Sequence, residues 1–116
     1  MDDFRIQRME NLIQEKIGIL ILSGQIKDPR VNSMLSVTRV QVAKDMSFAK
    51  VFISSFQDEK RGIKGVEGLN SASGFIQNHL GKQLKTRNTP KLLFVYDSSI
   101  KEGFEINRKI DGLVSE

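Results

Sequence analysis

An α+β fold, in which helices cover one face of a three-stranded sheet, is predicted by the order in which hydrophobic periods change along the chain. Apolar residues recur every three to four positions from Ile6 to Ile21, alternate from Met34 to Phe56, and return to helical spacing from Ile63 to Leu84. A further β-rich run, Leu92-Leu93-Phe94-Val95-Tyr96, follows a connector containing Pro90. The 116 residues suffice for one hydrophobic core, so residues 1–116 are read as a single domain.

The first helix carries Ile6, Met9, Ile13, Ile17, Leu20 and Ile21 on one face, with Arg5, Arg8, Glu10, Glu15 and Lys16 between them. Gly24 is its stop. In Ile26-Lys27-Asp28-Pro29-Arg30 the proline drives Asp28 out of helical geometry, which makes this stretch a connector. The first strand, Met34 to Val42, sets Leu35 and Val37 in one parity and Val40 and Val42 in the other. That change predicts a bulge near Thr38-Arg39. Lys44-Asp45-Met46-Ser47 supplies a turn. The second strand, Phe48 to Phe56, puts Ala49, Val51 and Ile53 on one face and Phe48, Phe52 and Phe56 on the other. Strands this close pair as an antiparallel hairpin.

Asp58 is placed to cap the next helix, in which Ile63, Val66, Leu69 and Ala72 form the apolar stripe. The pattern breaks at Ser73-Gly74, and Phe75, Ile76, Leu80 and Leu84 continue it to about Lys85. This helical pair is expected to be a right-handed crossover that brings the third strand, parallel, into a mixed sheet. Ser99 and Glu102 have capping-box spacing for a C-terminal helix with Phe104, Ile106, Ile110 and Leu113.

Composition excludes several classes of function. Without cysteine there are neither disulfides nor thiolate metal sites. Met1-Asp2-Asp3-Phe4-Arg5 is acidic and polar where a signal peptide is basic and then apolar, and Ile19-Leu20-Ile21-Leu22 is too short to span a bilayer. The expected setting is cytoplasmic, without membrane attachment. The net charge is +4, and its distribution is uneven. No acidic residue lies between Glu67 and Asp97, whereas His79, Lys82, Lys85, Arg87 and Lys91 do. Such a segment is either one phosphate-facing surface or a solvated helix face neutralised from elsewhere in the fold.

Catalytic chemistry finds little support. His79 is the only histidine and sits in the polar face of a helix, Asp97 closes a strand and Asp45 belongs to a turn. Nothing in their spacing joins them as an acid/base or metal-binding set, so the chain is read as a non-enzyme with no cofactor and no metal.

The glycines between Arg61 and Phe75 point elsewhere. Gly62-Ile63-Lys64-Gly65 and Gly65-Val66-Glu67-Gly68 both spell G-x-x-G, the loop with which KH domains clamp a nucleic-acid backbone. Both fall inside the helical pattern and are read instead as a side-chain-free stripe for close packing, at a cost of roughly 1 kcal/mol of propensity each. Ser71-Ala72-Ser73-Gly74 stands between the two helical halves, where a G-x-x-G loop belongs in this order of elements. Its small residues either let a phosphate or base approach the second helix, or mark an ordinary Gly/Ser kink.

Five segments taken together carry a resemblance. They are I-K-D-P-R (26–30), V-A-K-D-M-S-F-A-K-V-F-I-S (42–54), S-A-S-G-F-I-Q-N-H-L-G-K-Q-L (71–84), R-N-T-P-K-L-L-F-V-Y-D-S-S (87–99) and E-G (102–103). In order and spacing, over about residues 5 to 114, the chain resembles the ribosome-binding factor A family. The resemblance implies a type II KH-like fold in which an Ala-x-Gly kink, matched by Ala72-Ser73-Gly74, replaces the G-x-x-G loop. It further implies a late-acting assembly factor that binds the free or immature small (30S) ribosomal subunit and 16S rRNA. Such a factor acts around 5′-end processing, is associated with growth in the cold, and is released with help from a GTPase assembly factor. Many members carry a longer charged C-terminal tail, whereas this sequence stops at Glu116.

On that basis rRNA is expected against Ala72, Ser73, Gly74, Asn78, Lys82, Lys85 and Arg87, with Lys91, Arg39, Lys44 and Lys50 widening the contact. A monomer is expected. The competing reading is a general KH-like module for single-stranded RNA or a protein partner. There Phe48, Phe52, Phe56, Phe94 and Tyr96 would stack bases if one sheet face were open, although strand alternation assigns most of them to the core.

Overall fold

The computed structural model describes residues 2–84 and 89–98. The elements are α1 (Asp2–Ser23), β1 (Leu35–Val42), β2 (Phe48–Ser55), α2 (Glu59–Ser71), α3 (Ser73–Leu84) and β3 (Lys91–Tyr96), in the predicted order. The C-terminal helix expected after Ser99, together with Lys85 and Arg87, lies outside the described residues.

The sheet order is β1-β2-β3. β1 pairs antiparallel with β2, and β3 pairs parallel with it. The register shifts between Val37 and Arg39, so Thr38 is the extra residue of the anticipated bulge. The shift is what returns Val40 and Val42 to the core face, opposite Val51 and Ala49. In the hairpin turn the Asp45 carboxylate accepts from the Ser47 N–H at 3.1 Å and the Ser47 hydroxyl at 2.7 Å. Those bonds hold Met46 at φ 60°. Gly24, at φ +73°, ends α1 as a left-handed C-terminal stop.

All three helices pack on one side of the sheet. Ile13, Ile17 and Leu20 of α1, Leu69 of α2, and Ile76 and Leu80 of α3 meet Ala49, Val51, Ile53 and Phe94, and all are essentially sealed from solvent. Each of these side chains other than Ala49 contributes about 1.5–3 kcal/mol of burial.

The face that α2 presents to the sheet is built largely from glycine. Gly62, Gly65, Val66, Gly68 and Leu69 are its buried residues. A Cβ on Gly65 would lie 2.7 Å from both δ carbons of Leu35, and one on Gly62 would lie 2.5 Å from Tyr96 Cε2. On Gly68 it would come within 3.0 Å of Val31 Cγ2 and Asp28 Oδ1. The stripe therefore serves packing, as expected. Its position corrects the apolar stripe drawn from the sequence, because Ile63 is turned to the rim at 43% exposure. With about 100° between successive helical residues, a face centred on the glycines cannot also hold Ile63.

The aromatic residues need a second correction. Phe94 is in the core and Tyr96 packs against it, but Phe48, Phe52 and Phe56 are not core residues. Ala49, Val51 and Ile53 take the side facing the helices, and a period of two sends Phe48 and Phe52 to the other side. Phe56, just past the strand, is 75% exposed.

Two glycines should respond to alanine in opposite directions. A Cβ at Gly18, within α1, would meet nothing within 4 Å, so Gly18→Ala should stabilise by about 0.5–1 kcal/mol through helix propensity. Gly65→Ala gains the same propensity but overpacks Leu35 at about 1–3 kcal/mol, for a net loss of about 1 kcal/mol. Urea midpoints at an unchanged m-value read both.

Candidate nucleic-acid interface

Between α2 and α3 the backbone breaks at Ala72, at φ −93° and ψ 8°. This is one residue earlier than the sequence pattern indicates, and Ser73 and Gly74 instead open α3. The Ala72 N–H still donates back to Gly68 O at 3.0 Å and Leu69 O at 3.1 Å, and its carbonyl accepts from the Ile76 N–H at 3.0 Å. The result is a kink in a nearly continuous helix rather than a loop.

Gly74 meets no structural requirement for glycine. Its φ is not left-handed, and a Cβ there would meet nothing within 4 Å. What its missing side chain does is leave the first turn of α3 bare. The N–H groups of a first helical turn lack intrahelical acceptors and carry the positive pole of the helix.

Two clamps fix this turn. Asn70 Nδ2 donates to Phe94 O at 2.9 Å, and Asn70 Oδ1 accepts from the Phe94 N–H at 2.9 Å. The amide thus stands in for a neighbouring strand along the free edge of β3 and ties the last turn of α2 to the sheet. On the other side, Arg30 is bound by Asp28 through Nε at 3.0 Å and Nη2 at 2.8 Å. Arg30 Nη2 also reaches Ser71 Oγ at 3.3 Å, and Nη1 lies 3.8 Å from Glu67. The Asp-Pro-Arg connector is therefore fastened to the kink.

The hydrogen bonds from the Arg30 side chain, and then from its backbone N–H, hold the Asp28 carboxyl down to about 2 from its ordinary 3.8. For a depressed acid the stabilisation is complete above the ordinary value and is lost as pH falls through the folded one. Asp28→Asn should accordingly flatten the decline in Tm between about pH 4 and pH 2. Thermal unfolding at stepped pH checks this.

Beside the kink lies an open cleft of about 340 Å³, lined by Lys27, Pro29, Ser71, Ala72 and Phe75 among others. Phe75 belongs to the apolar stripe in the sequence but is 50% exposed in the fold, because Ile76 takes the core position. Its ring stands 6.2 Å from that of His79. Gly74, Asn78 and Lys82 recur every four residues and are exposed, so the kink and these side chains form one stripe along α3.

The remaining basic candidates lie elsewhere. Arg39, Lys50 and Lys91 have the parity opposite to the core residues of their strands and occupy the far face of the sheet. Lys44 is exposed in the hairpin turn. The candidate residues thus divide between two faces of the domain. Lys27 and Phe75 join the helical surface, and neither is marked for it by the sequence: Lys27 reaches the cleft only through the fold of the connector.

His79 bonds to Gln83 at 3.1 Å, while the Asp97 carboxylate accepts from Thr38 Oγ1 at 2.5 Å. Asp45 and Asp97 stand at opposite ends of the sheet. Among the described residues no group of histidine, aspartate and glutamate is positioned to hold a metal, and no helix is long and apolar enough to cross a membrane.

The family model described as ribosome-binding factor A matches residues 5–110. The chain belongs to the ribosome-binding factor A family. The ribosome-binding factor A of Treponema denticola is 50% identical over 113 residues, 97% of this chain and 86% of that protein. That of Borreliella burgdorferi strain B31 is 46% identical over 106 residues, covering 91% and 88%. Among solved structures, the crystal structure of ribosome-binding factor A from Thermus thermophilus aligns with a TM-score of 0.65 at 23% identity, covering 78% of this chain and 94% of that one. A homology model of the Thermus thermophilus factor, fitted into the cryo-EM map of its complex with 30S, aligns with a TM-score of 0.57 at 21% identity, covering 80% and 91%. At these identities the two structures establish the shared fold, an α+β arrangement of a mixed three-stranded sheet with helices on one face. Membership in the ribosome-binding factor A family makes the chain a binding protein rather than an enzyme.

Proposed function

We propose that this chain binds the free or immature 30S subunit and contacts 16S rRNA through the kink Ala72-Ser73-Gly74 and the exposed stripe of α3. The observation that carries the reading is the family match across residues 5–110; the relative fitted into a 30S map supports the target. At residue level it is supported by Gly74, whose bare turn answers neither to backbone geometry nor to packing. Asn78 and Lys82 extend the surface, and Lys85 and Arg87 are the basic residues that follow in the sequence.

The mechanism is differential binding. Lys and Arg release counterions from phosphates, a contribution blind to sequence, so discrimination rests on the shape of the subunit. A factor that binds an immature rRNA conformation more tightly than the mature one raises the population of the former and keeps the 5′ end of 16S rRNA available for processing. Cold slows rRNA rearrangement, which is where such holding matters most. The factor works as a cytoplasmic monomer, and a GTPase assembly factor helps to release it.

Co-sedimentation with free 30S subunits and with intact 70S ribosomes, over a salt series, tests the reading. Binding to 30S alone is expected. Replacing Lys82, Lys85 and Arg87 with alanine should flatten the salt dependence by about 0.7–0.9 log units per lost phosphate contact. Equal binding to both particles, or binding to neither, would overturn it.

A further inference from the structure

We infer that the face of the sheet turned away from the helices is a second RNA surface, which stacks unpaired bases. The inference rests on the proposal that the chain binds rRNA, and it concerns a face the kink does not reach. Along β2, Phe48, Lys50 and Phe52 alternate aromatic, basic and aromatic on this side, with successive members about 6.7 Å apart. Both neighbouring strands add cations. Phe52 stands opposite Arg39 of β1, and Phe48 opposite Lys91 of β3. Lys50 stands opposite Leu93, which is 39% exposed.

This composition is not what folding asks for. A sheet covered on one face normally alternates apolar inward and polar outward. Here Phe48 is 37% exposed on the outward side, next to Leu93, and among the described residues no helix covers them. Phe48 and Leu93 lie among Lys50, Lys91 and Arg39, so these two apolar groups are rimmed by cations. The Arg39 guanidinium lies 4.1 Å over the Phe52 ring. That stack fixes a flat cationic plane whose outer side is open, since Arg39 itself is exposed. Among the described residues none of Arg39, Lys50 and Lys91 is ion-paired. Asp97, at the margin of the face, is bound to Thr38.

Charge decides the occupant. Cations from all three strands call for a polyanion, and the aromatic rings call for one with accessible base faces. Single-stranded RNA has both, whereas a duplex hides its bases in the stack. Residues 99–116 of the chain carry both signs, with Glu102, Glu105, Asp111 and Glu116 among Lys101, Arg108 and Lys109, and so lack that complementarity.

The test is a titration of the ¹⁵N-labelled full chain with a ten-nucleotide oligoadenylate and with a ten-base-pair RNA duplex, followed by amide shifts. Shifts from the oligoadenylate should concentrate on outward positions of β1, β2 and β3, and the duplex should bind more weakly. Phe48→Ser and Arg39→Ala should each weaken oligoadenylate binding by at least about fivefold. Lys50→Ala and Lys91→Ala, which remove one cation each, should each reduce the salt slope by about 0.7. Shifts confined to α2 and α3, or affinities within about twofold of wild type in all four variants, would overturn the inference. So would sheet amides of the full chain that do not respond to oligoadenylate at all. Co-sedimentation of the wild type with 30S, run alongside, separates the two readings: its loss removes the parent proposal, whereas a bound wild type with indifferent sheet variants removes only this one.

Discussion

Phe94→Ala is expected to cost about 3–5 kcal/mol, a large fraction of the roughly 5–15 kcal/mol that a domain commonly has. The ring is 1% exposed and faces the helices from β3, opposite Val51 of the central strand. Removing it opens a cavity at the meeting point of α2, α3 and the sheet, where packed neighbours on every side limit relaxation. The backbone of the same residue is held by Asn70, one position before Ser71 and the kink, so loss of the ring loosens the kink as well. Phe56→Ala is the control. It removes the same side chain from an exposed position, and its effect should stay within about 0.5 kcal/mol. Urea unfolding of the two variants measures the contrast, which should appear as a large fall in midpoint for one and almost none for the other.

Gly74→Glu is expected to act in the opposite sense, weakening 30S binding by more than about tenfold while leaving the domain as stable or slightly more so. A Cβ at this position would meet nothing within 4 Å, and an acidic residue in the first turn of α3 favours the helix through its positive pole. Replacing glycine adds up to about 1 kcal/mol of propensity. The same carboxylate would stand where the proposal places phosphate, adding repulsion and bulk at once. Stability and binding therefore move apart, which a merely structural kink would not produce. If the glutamate variant sediments with 30S as the wild type does, the bare turn is not in the contact.

Much of this architecture was legible in the sequence because it depends on near neighbours. The parity change between Val37 and Val40 located the bulge, and Asp58 does cap α2, accepting from the Arg61 N–H at 2.8 Å. The glycine stripe was readable as packing, but its orientation was not. Ile63 and Gly62 are adjacent, and only the sheet decides which of them faces inward. Phe75 and Ile76 pose the same choice, settled by the tilt of α3 against the core. Asn70 carried no local signal at all, since its partner Phe94 lies 24 residues away and the bond exists only once β3 is in place. The division of the basic residues between two faces did have a signal. Lys50 sits between Ala49 and Val51, so period two alone puts it opposite the core, and Lys91 before Leu92 follows the same rule.

The kink's contact with rRNA is tested most directly by cleavage from a tethered probe. The chain has no cysteine, so Asn78→Cys offers a unique attachment point on the exposed stripe of α3, and Asn11→Cys offers one on the solvent side of α1. Each variant would carry iron–EDTA, be bound to 30S subunits, and be triggered to produce hydroxyl radicals. Strong local cleavage of 16S rRNA from position 78, with little from position 11, is the predicted result. Cleavage from position 11 and none from position 78 would contradict it and place the helical surface away from the RNA.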